Sequence, residues 1–317
     1  MIELVPYDES LRQDWDELVR RSPNGHFFFE RSFLDYHLDR FPSASFLFRD
    51  GRRWLGAMPG HSRGEHGWAS HRGLTYGGLV LAPEPRTAQV MEMFRRLDAH
   101  LREQGVCEAL YRPLPWFHHD QPCQASEYAM FQLGAKTSSC LTTTLVPAGI
   151  PSSLSQLRRR KIRKATADGV TCGPDDDLET FWPLVTSRLW ERFALKPAHT
   201  LEEIRLLKER FPQAIEFFAA KKDGAMVSGC LTFRTRQVLH MQYLHSSDAG
   251  RDEGGADLLI DWILRHATAP ARWFCMGTSC ENGGRVLNEG LQGYKESFGG
   301  HAATYCEYAW NPQETPP

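Results

Sequence analysis

Residues 242–264 read QYLHSSDAGRDEGGADLLIDWIL, and the pattern changes twice along them. Gln237 to His245 has the composition of a strand, whereas Leu258, Leu259, Trp262 and Ile263 recur at helical spacing and predict an amphipathic helix from Asp257 to Ala267. Between them lies Arg251-Asp252-Glu253-Gly254-Gly255-Ala256. Glycines at a helix start let the backbone approach an anion closely, and the unpaired N–H groups of the first turn point at it. An arginine at the lip adds charge-assisted bonds to phosphate oxygens. A tight turn made by two glycines, with Arg251 in water, would look the same in isolation. The strand before it and the amphipathic helix after it favour a seat for a pyrophosphate.

The rest of the second half supplies a sheet for that turn. Asp177 to Phe193 and Leu201 to Phe211 read as helices, with Pro212 as a stop. Ile215 to Lys221 and Met226 to Arg234 read as strands joined at Asp223-Gly224, a strong hairpin signal. Arg272 to Met276 reads as a strand, Val286 to Phe298 as a helix and Thr304 to Trp310 as a final strand. Antiparallel strands followed by a crossover helix predict a mixed α/β domain. The first half shows the same plan less legibly. Helices are expected near Asp14–Arg20 and Glu30–Phe41, and strands at Phe46–Phe48, Arg53–Met58 and Leu74–Leu81. A helix from Thr87 to Gln104 aligns Val90, Met93, Phe94, Leu97 and Leu101, and a strand follows at Cys107–Tyr111. The segment VPAGIPSSLSQ, Val146 to Gln156, is rich in small residues and divides the chain into 1–147 and 148–317. Each part is long enough for its own core.

Composition narrows the class. Hydrophobic residues make up 41% and charged residues 24%, the balance of a soluble globular protein, and a net charge of −2 gives no global pull toward nucleic acid or anionic membrane. The opening MIELVPYDESLRQDWDEL lacks a basic segment followed by an apolar one, and no apolar run approaches the roughly 20 residues that cross a bilayer. A cytoplasmic protein without an integral membrane segment is expected. The eight cysteines (Cys107, Cys123, Cys140, Cys172, Cys230, Cys275, Cys280 and Cys306) include no C-x-x-C pair and read as reduced thiols. His61, His66, His71, His118 and His119 lack carboxylate partners and helical spacing, so no metal is expected.

In its Arg251-x-x-Gly254-x-Ala256 turn the chain resembles the GNAT superfamily, in which such a turn after the fourth strand binds the pyrophosphate of coenzyme A. Asn288-Glu289-Gly290-Leu291-Gln292-Gly293-Tyr294-Lys295-Glu296-Ser297-Phe298-Gly299 looks like the family's asparagine, helix and Tyr-x-x-x-G-F stretch, with Phe and Gly transposed. A narrower resemblance, to the FemAB-like branch, is carried by LRRRKIRKATADGVTC (157–172), FPQAIEFFAA, YLHSSDAGRDEGGADLLI and MGTSCENGGRVLNEGLQGYKESFGG. It implies two tandem GNAT-like domains, each a mixed sheet flanked by helices. The turn Ala82-Pro83-Glu84-Pro85-Arg86 in the first half lacks phosphate-binding glycines, so the donor site is expected in the second domain alone. The long helical-hairpin insertion of bridge-forming FemAB members, associated with aminoacyl-tRNA, has no counterpart here, which disfavours tRNA as a partner.

These resemblances imply an N-acyltransferase that moves an acyl group, acetyl foremost, from coenzyme A to an amine on an amino sugar or another cell-envelope precursor. The alternatives are an aminoacyl-tRNA-dependent FemAB-type transferase and a non-catalytic binding protein on the same fold. Acyl transfer of this kind requires an aligned thioester and amine, a path for the amine proton and a donor to the developing oxyanion. The resemblance puts pantetheine beside Leu244, His245 and Ser246 of a splayed strand, the pyrophosphate at Arg251, Gly254, Gly255 and Ala256, and Tyr294 near the donor sulfur, able to protonate the leaving thiolate. Strand alternation sets Val238, His240, Gln242 and Leu244 on one face and Leu239, Met241, Tyr243 and His245 on the other. His240 is the expected base because an ordinary imidazole accepts a proton near neutrality. Arg188, Trp190, Lys196 and His199, with Glu281 and Asn288 opposite, are the acceptor-side candidates. The run Arg158, Arg159, Arg160, Lys161, Arg163 and Lys164 is either a phosphate-contacting helix or a solvated face.

Overall fold

The computed structural model describes residues 1–70, 73–149 and 153–314. His71 and residues 150–152 of the small-residue boundary segment lie outside the described residues. The chain forms two compact units: Met1–Leu141 with Asn282–Arg285 and Thr304–Pro317, and Thr142–Glu281 with Val286–Ala303.

The first unit begins with β1 (Ile2–Pro6), α1 (Arg12–Arg21) and α2 (Arg31–Leu34), followed by β2 (Phe46–Asp50), β3 (Arg53–Met58), β4 (His61–Arg63), β5 (Gly67–Ala69) and β6 (Val80–Leu81). It continues with α3 (Thr87–Glu103), β7 (Glu108–Tyr111), α4 (Ala125–Gln132) and β8 (Lys136–Pro147), whose residues from Thr142 onward belong to the second unit. Strands β1-β2-β3-β6 form one sheet, and β4, β5 and β7 are neighbours in another. The apolar face of α3 closes over a core that includes Phe46, Phe48, Met58, Trp68 and Tyr111. Two expectations change here. The helix expected from Glu30 to Phe41 is one turn, Arg31–Leu34, followed by a 3₁₀ turn at Asp35–His37. Phe33, Leu34 and His37 are all buried, so tertiary packing rather than a one-sided apolar stripe sets that backbone. In the strand expected at Leu74–Leu81 only Val80 and Leu81 pair, because Gly78, at φ +101°, turns the chain before them.

The second unit contains α5 (Gln156–Ala167), β9 (Thr171–Pro174), α6 (Leu178–Phe193), α7 (Leu201–Arg210), β10 (Ile215–Lys222), β11 (Ala225–Arg234) and β12 (Val238–Ser246). Then come α8 (Asp248–Glu253), α9 (Gly255–His266), β13 (Trp273–Thr278), β14 (Cys280–Glu281), β15 (Val286–Leu287), α10 (Glu289–Glu296) and β16 (His301–Trp310). Its strands lie in the order β8-β13-β12-β11-β10-β9. The β10–β11 hairpin turns through Asp223 (φ 49°) and Gly224 (φ 80°), the paired positive φ angles a two-residue turn of this hand needs. Helix α9 crosses from β12 to the parallel β13 and buries Leu259, Ile260 and Ile263 against Phe218, Leu239 and Phe274. The helix expected to start at Val286 starts at Glu289, because Asn288 caps it by accepting the Leu291 N–H at 3.0 Å.

Leu259 is fully buried at the centre of the α9 face. Leu259→Ala is expected to destabilise the protein by about 2–5 kcal/mol, read as a lower denaturation midpoint with an unchanged slope.

Candidate active site

Strand β12 lies between β11 and β13 for only part of its length. It pairs with β11 from Leu239↔Arg234 to Ser246↔Ser228, but with β13 only from Val238↔Trp273 to His240↔Cys275. Beyond His240 the two parallel strands part. The register against β11 slips at the same place, because Leu231 pairs Tyr243 and Thr232 pairs Met241, leaving Gln242 as the extra residue of a bulge. The bulge corrects the simple alternation expected for β12. Leu239, Met241 and Leu244 all pack on the α9 core, while Tyr243 meets Trp182 and His245 meets Phe181 of α6.

A cleft of about 470 Å³ opens where the strands part, and its lining brings eight of the expected site residues together. They are Leu244, His245 and Ser246 from β12, Arg251 and Ala256 from the turn, Arg188 from α6, and Asn288 and Tyr294 from the last helix and its cap. Leu189, Gly290 and Leu291 complete the lining. The turn itself is more ordered than a loop: α8 ends at Gly254, which is left-handed at φ 73° and also serves as the N-cap of α9. A glycine cap has no side chain to bond the first N–H groups of α9, so those of Gly255, Ala256 and Asp257 lack a side-chain cap. Arg251 is half-exposed, pairs with Asp248 and donates to the Ser246 carbonyl at 3.2 Å.

One buried cluster under the turn escaped the sequence reading. Asp257, in the first turn of α9, pairs with Arg158 and lies 3.8 Å from Lys161. Arg158 therefore faces inward, its guanidinium 4.8 Å from the Tyr294 ring centroid, and is no part of a solvated face. Tyr294 hydrogen-bonds Asp257, and burial together with that carboxylate raises the phenol well above its usual range. The hydroxyl thus keeps its proton at neutral pH. The second residue missed is Lys295, buried on α10, whose ammonium donates to the carbonyls of Gly277 at 2.9 Å and Thr278 at 2.6 Å. Burial pulls it down to about 8. Its only sequence signal was its place in the Gly-Tyr-Lys-Glu-Ser-Phe-Gly stretch; nothing there marked it as buried.

The remaining expected residues lie outside the cleft lining. His240 is held down to about 4 by burial and by the Lys295 charge, and it sits where β12 still pairs with β13. His199 is buried, with Nδ1 2.9 Å from the Tyr243 hydroxyl. Trp190 is 61% exposed. Glu281 reaches the cleft indirectly by accepting from the Asn288 amide at 3.0 Å.

Strands that part beside a helix start without a side-chain cap leave backbone N–H groups open to an anion. Residues 153–296 match the family model of the acetyltransferase (GNAT) domain. FemX superposes with a TM-score of 0.69 at 12% identity, over 98% of both chains. A tandem GNAT protein from the clavulanic acid biosynthesis pathway gives 0.56 at 13% identity, over 99% of this chain and 100% of that one. The C-terminal DUF2156 domain of a putative lysylphosphatidylglycerol synthetase from Agrobacterium fabrum gives 0.57 at 16% identity, over 82% and 81%. No curated protein matches. Residues 153–296 thus match an acetyltransferase (GNAT) domain, and the fold of the chain is the tandem GNAT-like one it shares with FemX and the clavulanic acid pathway protein.

The site also sets a pH response. His240 and His245 are each lowered from 6.5 to about 4 by burial, with Lys295 and Arg188 respectively adding repulsion. As pH falls below 6.5 the unfolded chain takes up these protons first, so stability is lost progressively down to about pH 4. The melting temperature is expected to fall across that window, and His240→Asn or His245→Asn should each flatten the slope.

Proposed function

We propose that the C-terminal domain, which the sequence sets at 148–317, transfers an acyl group from an acyl-CoA thioester to an amine on a small or sugar-linked acceptor of the cell envelope, in the cytoplasm. The observation that carries this reading is the cleft itself: the parted strands, the uncapped start of α9 and Arg251 meet in one cavity. The N–H groups of Gly255, Ala256 and Asp257, with the Arg251 guanidinium, suit a diphosphate. Gly254 suits its position because a side chain there would need a left-handed backbone and would bring a Cβ 3.2 Å from the Lys161 carbonyl. The edge of β12 at Leu244–Ser246 offers an amide chain the pairing that β13 no longer supplies.

The thioester supplies the activated acyl carbon, and the chain's own residues manage position and protons. Tyr294 retains its proton at neutral pH and serves as the donor to the leaving sulfur, with Asp257 and Arg158 fixing its ring. Neither imidazole near the parting is a strong base, since both are held near 4. The acceptor amine therefore arrives neutral and sheds its proton to water beside His245. Arg188 and Asn288 line the same cavity and suit the acceptor. The first unit is read as lacking a donor turn.

A hundredfold excess of acetyl-CoA or a related thioester over its Kd should stabilise the protein by about 2.7 kcal/mol, read as a rise in melting temperature. Arg251→Glu should abolish the rise. No shift with any acyl-CoA would overturn the donor assignment.

A FemAB-type, aminoacyl-tRNA-dependent reaction is the second reading, and two observations favour it: the FemX likeness, and four exposed cations on α5, namely Arg159, Arg160, Arg163 and Lys164. It requires tRNA binding that weakens with salt. Reversing the charge of Arg159 and Arg160 should then lower the slope of log K against log salt by roughly 1.4–2. Salt-insensitive binding, or none, would reject it.

A further inference from the structure

None of the eight cysteines lines the cleft, but two of them are neighbours of each other. The sulfurs of Cys140, on β8, and Cys306, on β16, are 2.9 Å apart. Both residues belong to the first unit, at the ends of segments 1–141 and 304–317. Their strands are adjacent in the sheet. The Ser138 hydroxyl donates to the Glu307 carbonyl at 3.1 Å, and a Cβ on Gly300 would fall against Thr144 and Val146. The two strands therefore run antiparallel with Cys140 facing Cys306, and side chains so placed have Cβ atoms about 4.5–5.5 Å apart, close to the span a disulfide bridges.

Other thiols are engaged differently. Cys280 accepts from the Thr142 N–H, Cys275 meets the Thr143 hydroxyl and Cys107 meets the His66 carbonyl. Among the described residues no group of three or more His, Cys, Asp or Glu gathers as a metal site, so this pair lacks the ligand count of a zinc centre. Cys140 is exposed, within reach of a small oxidant, and Cys306 is partly covered behind it.

We propose that Cys140 and Cys306 form a reversible thiol–disulfide site that reacts with low-molecular-weight disulfides of the oxidised-glutathione type. The Cys140 thiolate attacks one sulfur of the oxidant, forming a mixed disulfide and releasing one small thiol. Cys306 then attacks the Cys140 sulfur, forming the internal disulfide and releasing the second. Two protein thiols become one disulfide, the small disulfide becomes two thiols, and the two protein protons end on them. Burial and the neighbouring Cys140 push the Cys306 thiol up to about 12. Cys306 is thus the resolving partner, and its neighbour's charge is gone once the Cys140 sulfur is bonded.

The test treats the reduced full-length protein with graded oxidised glutathione, alkylates the remaining thiols and maps peptides by mass spectrometry. The expected first product has lost two hydrogens, carries a Cys140–Cys306 link with the other six cysteines alkylated, and reverts with reduced glutathione. C306S should stop at a glutathione adduct on Cys140, and circular dichroism confirms that this variant is folded. Alkylation of both Cys140 and Cys306 at every oxidant ratio, a first link elsewhere, or no adduct on Cys140 in folded C306S would overturn the proposal.

Discussion

Strands β12 and β13 are hydrogen-bonded for three residues and then part, and the candidate chemistry of this protein depends on that separation. A continuous parallel ladder would have satisfied the backbone of Leu244–Ser246 and closed the cavity. The chain prevents it in two ways. The bulge at Gln242 turns β12 relative to β11, while Lys295 reaches from α10 to the Gly277 and Thr278 carbonyls at the far end of β13. A buried ammonium is costly unless its donors are met, and here it takes carbonyl groups at the end of a strand that has left its neighbour. The gap is thus stabilised by the groups that would otherwise have closed it.

Charge around the cleft is arranged in layers. At the surface, Arg251 is tethered by Asp248 and Ser246 and remains half-exposed, so it can exchange partners for an incoming anion. Beneath it, Asp257 is fixed by Arg158 and bonded by Tyr294. Such a buried pair is weak evidence of stability but leaves the groups bonded to it little freedom of position. Burial also determines what the ionisable groups can do. The phenol of Tyr294 keeps its proton and the imidazole of His245 stays neutral, so the cleft contains a proton donor and no strong base.

The glycine turn, the amphipathic helix after it and the Asp223-Gly224 hairpin were legible because each depends on local chemistry: backbone freedom, helical spacing and paired positive φ. Of the cleft residues, Arg251 and Ala256 were legible for the same reason, while Leu244–Ser246 came from the family resemblance. His240 was singled out by alternation along a regular strand. Alternation cannot foresee a bulge, whose position depends on pairing with β11. Lys295 and Arg158 were hidden differently. A charged residue in a charged run reads as solvated, and only the neighbours it meets in space, Gly277 for one and Asp257 for the other, show that it is buried. The 12-residue strand β8 went unread as well, because its Ser and Thr residues carry little apolar alternation and its partners β13 and β16 lie far along the chain.

The sequence by itself determined the mixed α/β plan and the turn before α9, since these follow from residue types at fixed short spacings. Tertiary structure alone decided that strand, turn and last helix meet in one cleft, that His240 lies outside its lining and which cations are buried. It also brought together Cys140 and Cys306, 166 residues apart. The physical reason is that burial, desolvation and pairing arise between segments distant in sequence, where no local periodicity records them.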